Sequence, residues 1–160
     1  MERRPQSQRL VIGIGNPLRG DDGVGALLAE QAAVLTAADP VGSVAVRCVQ
    51  QLTPELAAEL AHLDAVLFID AWSAPASALP QLMPLRPAGA SPDGMGDESH
   101  RLEPAALLAV CQVLYGGVPD AQVLLVPVHA LEHGTTLSPE LRAVLPQARV
   151  LLRQWLNAHA

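Results

Sequence analysis

The sequence predicts an α/β fold: one domain holding a twisted, mostly parallel sheet of about five strands, with helices on both faces. Three observations lead there. Strand-length apolar runs alternate with helix-spaced segments along the whole chain. Half of the 160 residues are apolar, yet only four are Phe, Tyr or Trp, so the core is Leu, Val, Ala and Ile. Finally, the apolar strand at Leu10–Ile14 runs into a glycine-rich turn and then a helix. A chain of this length buries roughly two-thirds of its unfolded surface.

Residues 1–9 read as a polar tail and 10–160 as a single α/β domain. Leu10–Ile14 is a buried strand. From Asp22 to Ala38, Val24, Leu27, Leu28, Val34 and Leu35 keep helical spacing. Val44–Val49 alternates like a strand. Pro54–Leu63 is a short helix with Thr53 as N-cap and proline in its first turn. Ala65–Ile69 is a continuous apolar run stopped by Asp70, the profile of a central parallel strand. Leu79–Leu85 carries prolines that confine it to an edge. Residues 86–99 form a long polar loop of the kind that is functional or mobile. Pro104–Tyr115 is a helix closed by Gly116-Gly117, Val123–Val128 a buried strand, and Pro139–Asn157 a helix broken or kinked at Pro146.

The formal net charge is −6, and all ten basic residues are scattered arginines, which excludes a nucleic-acid footprint. No apolar segment is long enough to span a bilayer, so no membrane partner is expected. The run behind the polar tail is too short for a secretory signal. Cys48 and Cys111 lack metal spacing and fall in apolar elements, which predicts buried free thiols and suits a cytoplasmic protein. No large apolar surface signature stands out, as in a monomer.

The most informative stretch is Val11 to Gly25, reading Val-Ile-Gly-Ile-Gly-Asn-Pro-Leu-Arg-Gly-Asp-Asp-Gly-Val-Gly. Gly13 and Gly15 permit close backbone approach and positive φ. Pro17 fixes its own φ and pushes Asn16 toward extended geometry. The stiff loop then presents Asp21 and Asp22 at the mouth of the sheet. A dinucleotide site fails here: the third glycine of the fingerprint is replaced by Leu18, and two aspartates at the helix start repel a pyrophosphate. Carboxylates in that place suit a cation.

In open α/β sheets, ligands bind beyond the carboxyl ends of the strands. Asp21 and Asp22 follow the first strand, Asp70 the third, and His100 the fourth. Two carboxylates and an imidazole suit a divalent cation with open coordination positions. Of the neighbouring pair, Asp21 is assigned a structural hydrogen-bonding role and Asp22 the functional one. His129 and His133 are a rival pair, but the preceding strand and Gly134 disfavour a helical ligand face. His62 and His159 fall on exposed-looking helical positions without a role. No Gly-x-Ser-x-Gly or His-Glu-x-x-His is present, which disfavours the common serine and zinc proteases.

These residues resemble the hydrogenase maturation endopeptidases, which process the large subunit of nickel–iron hydrogenases. The likeness rests on Gly13 through Gly25, then Phe68-Ile69-Asp70-Ala71, Ser99-His100-Arg101-Leu102, Glu132-His133-Gly134 and Leu137-Ser138-Pro139-Glu140. It implies a twisted sheet flanked by helices, with Asp22, Asp70 and His100 as the catalytic, metal-contacting trio of an aspartyl-type endopeptidase. It implies one cut that removes a C-terminal extension from a nickel-loaded large-subunit precursor. Nickel then belongs to the substrate as a recognition handle, and no cofactor is bound permanently. The family commonly has a glycine-proline turn after Asp70, where this chain has Trp72-Ser73-Ala74-Pro75. Two other functions compete: a metal-binding accessory protein of hydrogenase assembly that uses the trio without cutting, and a nucleotide-binding module built on Gly13-Ile14-Gly15.

Overall fold

The computed structural model describes residues 8–38, 44–75, 77–89, 99–129 and 134–159, with 99–102 described by their backbone alone. Five strands, β1 (Arg9–Ile14), β2 (Ala45–Val49), β3 (Ala65–Ser73), β4 (Gln81–Leu85) and β5 (Asp120–Val128), form one sheet in the order β2-β1-β3-β5-β4. All pairings are parallel except the edge pair β4–β5. Four helices connect or flank them: α1 (Val24–Thr36), α2 (Leu56–Leu60), α3 (Ser99–Val110) and α4 (Pro139–Ala158).

Alternation along the central strands divides the core in two. Val11, Leu67, Ile69, Leu124 and Val126 face α1 and α4, whose Leu28, Leu152 and Trp155 are fully buried against them. Leu10, Ile12, Val66, Phe68 and Val123 face the other way, onto α2 and α3. The sheet is thus covered on both sides, as the sequence pattern predicts.

Several boundaries differ from the sequence reading. The first strand starts at Arg9, whose buried guanidinium donates to the Leu156 carbonyl at 2.8 Å and so closes the C-terminal end of α4. A single 3-10 turn at Gly20–Gly23 precedes α1, so the helix begins after both aspartates. Helix α2 is shorter than expected, and its preceding turn is closed by the Thr53 carbonyl accepting from Leu56 N–H at 3.1 Å rather than by the Thr53 side chain. Strand β3 is not stopped by Asp70 but continues to Ser73, because the nine-residue β5 pairs with it along its whole length. Helix α3 starts at Ser99 and carries Pro104 inside it. Helix α4 is one element through Pro146, its N-cap being Ser138, whose hydroxyl accepts from Leu141 N–H. Much of the predicted loop at 86–99 lies outside the described residues.

Cys111 is buried as expected, but Cys48 is exposed. It sits on β2, beside which no further strand lies among the described residues. Past α3, a π-helical turn (Cys111–Tyr115) leaves Val113, Leu114 and Tyr115 exposed, an apolar run the sequence pattern assigned to a helix. His159 is half-buried rather than exposed, bridging the Trp155 carbonyl and the Asp120 carboxylate at the end of α4. Among the described residues no helix is long and apolar enough to cross a membrane.

Candidate active site

Strand order reverses between β1 and β3, since the chain leaves β1 for β2 on one side and returns to β3 on the other. Crevices form at such switch points. Here the crevice is a cleft of about 290 Å³, and Asp22, Asp70 and Glu103 all line it.

The loop after β1 is shaped by main-chain contact. Gly15 adopts φ 134°, and a Cβ there would lie 3.1 Å from Oδ1 of Asp22 and closer still to its carbonyl oxygen. Only glycine fits that position without strain. Its N–H continues the ladder to the Val49 carbonyl at 2.9 Å. Asn16 forms an Asx turn, its side-chain oxygen accepting from Leu18 N–H at 2.9 Å. The Asn16 N–H donates to Asp22 Oδ2 at 2.7 Å and so orients that carboxylate. Two further bonds, Gly20 N–H to the Gly134 carbonyl and Gly134 N–H to that of Leu18, tie the loop to the segment before α4.

Asp21 takes the structural role expected of it. It is fully buried and accepts from Ser138 N–H at 2.7 Å, Ser138 Oγ–H at 2.6 Å and His129 N–H at 3.2 Å. One carboxylate therefore joins the first loop, the end of β5 and the N-cap of α4. His129 contributes through its main chain; His133 lies outside the described residues.

Asp70 reaches the same cleft by a different route. The last β1–β3 partners are Gly13 and Ile69, so β1 has turned away where Asp70 stands, although β3 still pairs with β5. The sheet is locally one strand narrower, and the cleft fills the gap. His100 lies in the first turn of α3, and its side chain is outside the described residues. Sequence reasoning missed Glu103, one helical turn further on, and the amides Gln50 and Gln51 at the end of β2, all of which line the cleft. Among the described residues no three His, Cys, Asp or Glu side chains cluster tightly enough to hold a metal ion. Asp22 and Asp70 present carboxylates to the cleft, the donor type that divalent cations take.

Several solved structures share this architecture. HybD, the hydrogenase maturating endopeptidase from E. coli, superposes with a TM-score of 0.66 at 20% identity, over 94% of this chain and 93% of that one. The [NiFe] hydrogenase maturation protease HycI from Thermococcus kodakarensis gives 0.66 at 19% identity, over 94% and 91%. The hydrogenase 2 maturation peptidase from Thaumarchaeota archaeon SCGC_AB-539-E09 gives 0.64 at 23%, over 94% and 99%. This chain has the fold of the hydrogenase maturation endopeptidases. Each match spans more than nine-tenths of both chains. No protein-family model and no curated protein sequence matches the chain.

Proposed function

We propose that the protein is an endopeptidase that removes the C-terminal extension of a nickel-loaded nickel–iron hydrogenase large-subunit precursor. One observation carries the reading: Asp22 and Asp70 line one cleft at the switch point of a sheet whose solved counterparts are hydrogenase maturation peptidases. In this scheme nickel is part of the substrate, held by the precursor's own ligands. Asp22 and Asp70 complete its coordination, and His100 is assigned as the third donor from its place in the motif. Fixing the metal fixes the neighbouring peptide bond, and placement of that kind lowers a barrier by several kcal/mol. Asp22 or Asp70 further acts as general base toward the attacking water, the role that makes the enzyme aspartyl-type. The reaction belongs in the cytoplasm, before the loaded subunit is assembled.

The test is the intact mass of a large-subunit precursor before and after incubation with this protein, with and without nickel loading. The expected result is loss of one discrete C-terminal peptide from the nickel-loaded form only, abolished by Asp22→Ala. Binding without a mass change overturns the reading in favour of an accessory protein.

A further inference from the structure

Among the described residues, strand β2 is the outermost on its side of the sheet. The bond from Gly15 N–H to the Val49 carbonyl turns Val49 toward β1. Strand residues alternate in the direction of their main-chain groups, so Ala45 and Arg47 also face β1 while Val46 and Cys48 face outward. The Arg47 guanidinium donates to the Val46 carbonyl at 3.2 Å, as an outward carbonyl allows, and pairs with Glu59 at 2.9 Å. That arrangement guards the amino end of the edge, and Cys48 stands beyond it. The opposite edge, β4, carries Pro84, which has no N–H to give.

Beside Cys48 lies a cavity of about 540 Å³ between β2, the first turns of α1 and the Gly15–Gly23 loop. Its walls are mainly apolar, with Pro17, Ala26, Leu27, Val49 and Leu137, and Glu30 at one side. It shares Gly15 and Gln50 with the acidic cleft, so the two spaces adjoin and together form a track past those residues. Four carboxylates (Glu30, Asp22, Asp70 and Glu103) line this track, and among the described residues no Arg or Lys does.

We propose that the outer edge of β2 and this cavity dock the extended C-terminal segment of the precursor, which adds as a strand opposite Val46 and Cys48. The proposal rests on the endopeptidase reading and names where its substrate lies. Main-chain pairing of this kind supplies affinity, and pockets for alternate side chains supply selectivity. An apolar side chain of the segment enters the cavity. The charge of the track excludes acidic side chains there. With about 3.3 Å per residue, a segment paired at Cys48 reaches Gln50, which lines both spaces, after about two residues.

The experiment measures amide exchange along β2 in the wild-type protein mixed with nickel-loaded precursor, using pulses shorter than turnover, and the precursor's mass in the same samples. Exchange at Val46 and Cys48 is expected to slow by about fivefold or more. A Cys48→Phe variant, which fills the cavity, is expected to raise KM about tenfold while kcat stays within about twofold. Cleavage with unchanged exchange at both amides overturns the docking proposal and leaves the endopeptidase standing. Slowed exchange without any loss of mass supports the docking and overturns the endopeptidase. Unchanged exchange and unchanged mass overturn both.

Discussion

The inner and outer sides of the turn at Gly20–Gly23 carry one aspartate each. On the inner side Asp21 is fully buried and satisfies three donors from two distant segments. On the outer side Asp22 is half-buried, accepts from Asn16 N–H, and faces the cleft. The same side chain one residue apart thus serves as an internal brace on one side and faces an open cleft on the other. Burial with full hydrogen bonding makes a carboxylate costly to remove, whereas partial exposure leaves coordination sites open.

The comparison is most sharply broken by exchanging the effects. Asp21→Ala leaves the main-chain N–H groups of Ser138 and His129 without their acceptor, and we expect a loss of about 4 kcal/mol in unfolding free energy, measured by urea denaturation. A loss below about 1 kcal/mol would show that the brace is dispensable. Asp22→Asn and Asp70→Asn should act the other way. Each is expected to lower kcat by at least about 100-fold, since neither amide can serve as a base. For Asp22→Asn the amide oxygen still accepts from Asn16 N–H, so melting should move by only about 3 °C or less. Binding should be partly retained; equal loss of binding and turnover would mean that the pair only recognises nickel.

The smallest effect lies at the rim. Desolvation, and secondarily the Glu30 carboxylate, push the Cys48 thiol above its usual range despite its exposed position. Glu30→Gln removes the nearby negative charge and so lowers that pKa toward the ordinary value. More thiolate is then present at pH 8, and alkylation by iodoacetamide should speed up about twofold. An unchanged rate would place Glu30 away from the thiol in solution.

What could be read from the sequence was whatever depended on local stereochemistry. Gly13, Gly15, Asn16 and Pro17 have strong backbone preferences, so the loop was legible, as was the structural role of Asp21. The switch-point rule then brought Asp70 to the same place. What stayed hidden depended on neighbours remote in sequence. β3 runs past Asp70 because β5 is long enough to pair with it, and nothing within Ala65–Ser73 says so. Cys48 looked like a core residue because an edge strand and a central strand share one alternation. Glu103 fell between the expected loop and helix because Pro104 reads as a helix start, whereas α3 begins five residues earlier. Its spacing of three from His100 was the only signal, and it acquires meaning only once both stand on one helix.

A Cβ on Gly25 would lie 2.8 Å from the Ile69 carbonyl oxygen and nearer still to that of Ile14, and one on Gly13 would collide with Gly25 in turn. The start of α1 therefore rests on the sheet main chain to main chain, with no side chain as a spacer. Distances set by direct main-chain van der Waals contact do not drift when core side chains are exchanged for others of different volume. The cleft stands on a fixed datum, and its rim is free to be recut for a new partner while Asp22 and Asp70 keep their separation.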